Sequence, residues 1–138
     1  MAVVEELLRT EENGAISFGN YKLEAKAKLE DYEHGGDLYK VKTYRELTKL
    51  EKNGMFAYES QPGTSVRDFQ ETEDGVTFKV EADEDVQITV GLEEDTAYSV
   101  IVDGANIGTM KTNLSGKLSV SVELANAGEI PVKIAKNG

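Results

Sequence analysis

Residues 92–124, LEEDTAYSVIVDGANIGTMKTNLSGKLSVSVEL, decide the fold class. After Ser115-Gly116, the apolar residues Leu118, Val120, Val122 and Leu124 alternate with Ser119, Ser121 and Glu123. A period of two places one set on a buried face and the other in water, the signature of a half-buried strand. Asp103-Gly104 and Ser115-Gly116 supply the positive φ that tight turns between strands require. The same punctuation recurs at Asn13-Gly14, Asn53-Gly54 and Asp74-Gly75, with Gly35-Gly36 as a sixth candidate. Val76, Phe78 and Val80 alternate after Asp74-Gly75 in the same way.

Two stretches pull against this pattern. Residues 21–34, YKLEAKAKLEDYEH, are rich in helix formers. Their apolar residues Leu23, Ala25, Ala27 and Leu29 nevertheless alternate strictly with charged ones, which on a helix would scatter them around the axis. The alternation predicts a strand. RELTKLEKNG, residues 45–54, is ambiguous between a strand and a short helical turn. The chain thus reads as all-β, with ten to twelve short antiparallel strands in a hairpin-rich β-sandwich. ESQPGTSVRD, residues 59–68, is the one Pro-Gly stretch and the best boundary, between an N-terminal β subdomain (1–62) and a second sandwich subdomain (63–138). Charge divides unevenly there: residues 1–64 hold 12 acids and 9 bases, net −3, and residues 65–138 hold 14 acids and 6 bases, net −8.

With 138 residues the chain has the size of one ordinary domain. Its formal charge of −11 repels nucleic acid and anionic lipid, so neither is expected as a partner. The absence of cysteine excludes disulfides, thiolate metal sites and a cysteine nucleophile. The first residues, MAVVEELLRTEENG, show neither a basic n-region nor an apolar run of signal length, and no run approaches the roughly 20 residues of a membrane helix. A cytoplasmic location is the expectation.

Leu92, Thr96 and Tyr98 have the spacing Leu-x-x-x-Thr-x-Tyr, followed by Val100, Val102 and Asp103-Gly104. This resembles the strand-entry corner of fibronectin-type and immunoglobulin-like sandwiches, in which a Tyr hydroxyl bonds back to the preceding loop. The resemblance covers roughly residues 66–136 and implies an immunoglobulin-like C-terminal half with Tyr98 in a structural role. Similar modules recur at the C-terminal ends of bacterial polysaccharide-degrading enzymes. The whole chain, especially the opening MAVVEELLRTEENGAISFGNY, is similar to short bacterial proteins labelled endosialidase. Established endosialidases carry a large propeller domain that 138 residues cannot hold, so no catalytic residue carries over.

Individual residues offer several chemistries. Glu81, Asp83, Glu84 and Asp85, and Glu93, Glu94 and Asp95, form acidic runs that suit a hard cation in principle. They flank one strand, Val86–Val90, so they should lie at its opposite ends as solvated loops. Paired carboxylates for glycoside hydrolysis are inevitable among 26 acids and carry no signal. Arg9, Arg45 and Arg67 could bind carboxylates but are scattered. His34, beside Glu33 and Asp37, reads as a polar hairpin residue before it reads as a catalytic base. Asn113–Ser115 fits a glycosylation sequon and equally a turn. Tyr32, Tyr39, Tyr44 and Tyr58 could line a sugar-stacking or protein-binding surface, while alternation allows half of them to be core.

The expectation is therefore a non-catalytic binding or structural protein without metal or cofactor, taking a glycan or protein partner or self-associating. A glycan-active enzyme or its accessory subunit is the alternative. Open sheet edges favour a homo-oligomer. The segments Ala2–Leu8 and Ile130–Ala135 are the terminal strand candidates, and Val3 or Val4 is the contact.

Overall fold

The computed structural model describes residues 3–136. They form two antiparallel sheets packed as a sandwich, with no helix among the described residues, and so none long and apolar enough to cross a membrane. Strands are numbered in chain order. The seven-stranded sheet runs β1 (Leu8–Thr10), β2 (Ile16–Phe18), β7 (Ser65–Glu71), β8 (Gly75–Glu81), β13 (Ile130–Lys136), β10 (Ala97–Val102) and β11 (Ala105–Lys111). The six-stranded sheet runs β12 (Lys117–Val122), β9 (Val86–Gly91), β6 (Met55–Gln61), β5 (Leu47–Lys52), β4 (Asp37–Tyr44) and β3 (Ala27–His34).

Alternation builds both sheets. Leu118, Val120 and Val122 are buried on β12 while Ser119 and Ser121 are exposed, and β8 buries Val76, Phe78 and Val80. Their shared core centres on Phe18, Tyr58, Phe69 and Phe78. Ring pairs meet edge-on at 5.2–6.2 Å, apart from a tilted Phe69–Phe78 pair at 5.8 Å. Such geometry sets positive ring edges against negative faces.

Strands from both sides of residue 62 share both sheets, since β2 pairs with β7 and β6 with β9. The Pro-Gly stretch is the passage from one sheet to the other, and the Gln61-Pro62 bond there is cis. Buried hydroxyls hold this passage. The Thr48 hydroxyl donates to the Thr64 carbonyl at 2.9 Å and accepts the Thr64 N–H at 3.0 Å. Its single proton being used, it accepts at 2.8 Å from Thr43, whose oxygen in turn accepts the Asn20 N–H. The Thr64 hydroxyl meets Tyr58 Oη at 2.8 Å and Ser60 Oγ at 2.9 Å. Two glycines are required here: a Cβ on Gly63 would collide with the Tyr44 carbonyl, and one on Gly19, at φ 96°, with that of Thr64.

All six small-residue pairs fall where one strand gives way to the next, Gly75 being the first residue of β8. Five close hairpins, whereas Ser115-Gly116 leads from β11 in one sheet to β12 in the other. Residues 45–54 contain β5 and no helical turn. The strand expected over residues 21–34 begins only at Ala27, because Asn20 to Lys26 turn the chain in front of β4, where Arg45 N–H bonds the Leu23 carbonyl. The N-terminal strand is likewise shorter than expected. Ala2 lies outside the described residues, and β1 starts only at Leu8. Val4 is fully buried within its own chain, its N–H bonded to the Gly19 carbonyl at 3.0 Å, so it cannot face a partner. Nor is Ile130–Ala135 an edge, since β13 is paired on both sides. The longer strands with an open edge are β3, β11 and β12.

Tyr98 is buried, and its hydroxyl accepts the Glu93 N–H at 3.2 Å, bonding back to the loop before β10. Tyr98→Phe is expected to cost about 0.5–2 kcal/mol, the range for one lost hydrogen bond. Thr48→Val, which keeps the shape but strands three buried partners, should cost more than about 3 kcal/mol. Urea denaturation of both variants checks the order; equal midpoints would show that the Thr48 bonds do not hold the passage.

Candidate functional site

The four tyrosines do not form one surface. Tyr58 is fully buried in the core, and burial pushes its hydroxyl well above the ordinary tyrosine range. Tyr39 points inward with Val41 and Thr43, and burial raises its hydroxyl too. Neither presents a face to a ligand. Tyr32, opposite Tyr39 in the β3–β4 ladder, is half-buried. Tyr44 is half-buried at the other end of β4, with the Lys26 ammonium 5.6 Å from its ring centre. Strand alternation sends Tyr39 and Tyr44, five residues apart, to opposite faces.

His34 ties the edges of the two sheets together. Its Nε2 lies 3.0 Å from the Gly14 carbonyl, which can only accept, so Nε2 carries a proton. Nδ1 lies 3.1 Å from Thr10 Oγ1, itself 2.9 Å from the Tyr32 hydroxyl. Both ring nitrogens are thus occupied. The acidic runs lie at opposite ends of β9. Asp83 pairs with Lys22 at 3.1 Å, Asp85 accepts the Ala125 N–H, Asp95 pairs with Lys111 at 3.1 Å, and Glu93 pairs with Lys136. Among the described residues no three potential ligands cluster as a metal site would need. Arg9 and Arg67, on β1 and β7, both act on the Glu11 carboxylate, whereas Arg45, in the β4–β5 turn, lines a cleft at the end of the sandwich. The Asn113 side chain accepts from Ser115 N–H, Ser115 Oγ and Lys117 N–H, so the sequon residues build the turn.

Of the concavities in the surface, two combine polar side chains with room for a ligand. A cleft of about 780 Å³ at one end of the sandwich is lined by Tyr21, Lys22, Arg45 and Gln61, and by the carboxylates of Glu24, Glu46, Asp83 and Glu84. Burial, aided by the nearby Glu81 and Asp83, pushes the Tyr21 hydroxyl up to about 12. Four acids against two bases leave this cleft electronegative.

The second is a groove of about 480 Å³ across the outer face of the seven-stranded sheet, bounded by Asn13 and Gly104. Its floor follows from strand register. Gln70 stands opposite Thr77, Thr77 opposite Lys133, and Lys133 opposite Ile101, one row across β7, β8, β13 and β10. Arg67, Lys79 and Pro131 form a second row. Arg67 pairs with Glu129 at 3.3 Å and Lys79 with Asp68 at 3.6 Å, while Lys133 has no ion pair among the described residues. Neighbouring strands about 4.8 Å apart make the first row roughly 14 Å long.

A bulge in β7 shapes this floor. The ladder slips between Arg67 and Gln70, and Asp68 adopts φ 54°. Its N–H bonds Ser17 Oγ at 3.1 Å, and the Ser17 hydroxyl donates to Glu11, which Arg9 also binds at 2.9 Å. The Ser17 hydrogen bond, then Arg9, hold the Glu11 carboxyl below its ordinary range against the opposing effect of burial. None of Gln70, Thr77, Lys79 and Lys133 stood out in the sequence. The available signal was that Thr77 and Lys79 alternate with Val76, Phe78 and Val80, but which strand lies beside which is not local information.

No family model matches the chain, and no curated protein or solved structure matches it.

Because the folded-state pKa of Glu11 is depressed, its stabilisation is complete above the unfolded value of about 4.3 and is lost as pH falls through the folded value. Glu11→Gln should therefore lower the urea midpoint at pH 7, and the gap from the parent protein should close on acidification below about pH 4. A gap independent of pH would exclude the ionised carboxylate as the cause.

Proposed function

We propose that this is a non-catalytic binding protein of β-sandwich architecture that takes an extended glycan chain across the outer face of its seven-stranded sheet. The groove over β7, β8, β13 and β10 carries the reading. A saccharide presents hydroxyls along its edges and C–H groups on its faces. Gln70, Thr77 and Asn13 supply amide and hydroxyl groups for the edges, and Pro131 and Ile101 supply apolar surface for the faces. Lys133 adds a donor with no competing ion pair among the described residues. All of these except Asn13 stand on paired strands, which fix their spacing. No aromatic side chain projects from the two rows, so affinity per sugar should be modest and depend on chain length. The resemblance of residues 66–136 to modules of polysaccharide-degrading enzymes supports the same reading, as does the Tyr98 hydrogen bond. A glycan-active enzyme is the second reading, favoured by the carboxylates of the end cleft.

The test is affinity electrophoresis against a panel of soluble polysaccharides. At least one polymer should retard the protein, with Lys133→Ala and Thr77→Ala each weakening retardation by about three- to tenfold. Retardation that neither substitution changes would remove the groove from consideration. Release of shortened product, abolished by Glu84→Gln, would replace the binding reading with the enzymatic one.

A further inference from the structure

The opposite face of the sandwich carries a charge arrangement that folding alone does not favour. On the six-stranded sheet, Lys28 of β3 stands directly opposite Lys42 of β4, and Lys42 directly opposite Lys49 of β5. The row continues through Glu59, Thr89 and Ser119. All three lysines project outward: Tyr39, Val41 and Thr43 of β4 and Thr48 and Leu50 of β5 face the core, and Lys28 shares the face of Lys42, with its neighbour Leu29 packed against the core. Like charges directly opposite on adjacent strands destabilise a sheet. In a chain with 26 acids and 15 bases, carboxylates to interleave were available. Lys49 reaches Glu51 at 3.7 Å, whereas Lys28 and Lys42 have no ion pair among the described residues. Lys26 and Lys40 flank the row, with Lys40 at 3.4 Å from Glu30.

We propose that Lys28, Lys42 and Lys49 form a binding site for a short oligoanion bearing tetrahedral oxyanion groups, phosphate or sulfate. The chemistry of the cations selects this class. Arginine forks match planar carboxylates bidentately, and none of the three arginines lies on this face; ammonium groups act as point charges and suit oxyanions approached from any direction. Length follows from the strand spacing. Three lysines across three strands span roughly 10 Å, which fits two or three consecutive phosphates and is too short to hold a long polyelectrolyte against the net charge of −11. The site rests on side chains of the six-stranded sheet and is independent of the glycan groove on the other face.

Isothermal titration with inorganic tripolyphosphate at about 20 mM salt, where screening is weak, tests the proposal. Binding is expected, weakened about tenfold or more by Lys42→Glu and by Lys28→Gln, and unchanged by Lys133→Ala on the opposite face. Citrate, a carboxylate anion of similar charge, should bind more weakly. A binding site that strains the sheet also predicts that Lys42→Glu raises the urea midpoint while it weakens binding, since it replaces two like-charge contacts by opposite-charge ones. Lys28→Gln, at an exposed edge position, separates lost binding from lost structure. Competition by a sulfated disaccharide would assign the site to sulfate as well as phosphate groups, and its absence to phosphate alone. No binding of tripolyphosphate, unchanged binding by both lysine variants, or equal binding of citrate overturns the proposal.

Discussion

The sandwich depends on one buried hydroxyl. Thr48, on the six-stranded sheet, holds both polar groups of the Thr64 backbone at the point where the chain leaves that sheet for the other. A segment crossing between sheets has no ladder to satisfy its peptide groups, and a buried unsatisfied N–H or C=O costs as much as several good contacts gain. Thr43, Ser60 and Tyr58 complete the arrangement, so that no described buried side-chain polar atom lacks a partner. Fixing Thr64 fixes Ser65, whose hydroxyl donates to the Gly19 carbonyl, and with it the start of β7. From there the bulge at Asp68 and the outward direction of Gln70 follow. The position of the groove is thus set by packing at the far side of the core.

How much of this was legible depended on whether the information was local. Turn dipeptides are local, since a glycine with positive φ beside a small residue suffices, and all six were readable. Alternation is local too, and it outweighed helix propensity in β3 and β5 because a sheet buries one face of every strand. Strand neighbours are not local. Nothing within IPVKIA announces that β13 lies between β8 and β10, and AVVEELL carries no mark that Val4 turns into its own core before β1 begins. Which of the tyrosines would be core depended on the same non-local information. Tyr58 resembles Tyr32 in composition of surroundings, but it stands on a strand whose neighbours β5 and β9 are both present, and β8 contributes Phe78 across the core. The lysine row was invisible in the same way. Lys28, Lys42 and Lys49 are unremarkable along the chain and become a single feature only once two registers are known.

Charge is distributed by element. The acidic excess gathers in turns and loops, as at Glu93 to Asp95 and Asp83 to Asp85, where water screens it and a backbone N–H or a lysine shares it. Most lysines and arginines stand on strands instead, with Lys28, Lys40, Lys42 and Lys49 on one sheet face and Arg67, Lys79 and Lys133 on the other. Long aliphatic stems suit a pleated surface, which explains why bases are tolerated there. It does not explain why three should be lined up without an intervening acid.

The two faces also differ in how their cations are compensated. On the groove face, Glu129 and Asp68 pair with Arg67 and Lys79, and Lys133, with no ion pair among the described residues, stands beside hydroxyls, amides and apolar surface. That mixture rewards a ligand that is mostly neutral and hydrogen-bonding. On the lysine face, Lys28 and Lys42 stand beside one another with no ion pair among the described residues, and apart from the Tyr44 phenol the hydroxyls of the row lie beyond Glu59. That mixture rewards charge above all. A protein with a net charge of −11 can hold such a row without attracting every passing polyanion, because long-range repulsion rejects large ones while a small oligoanion reaches the ammonium groups inside a Debye length. The acidic excess elsewhere then acts as a size filter on what the basic row can bind.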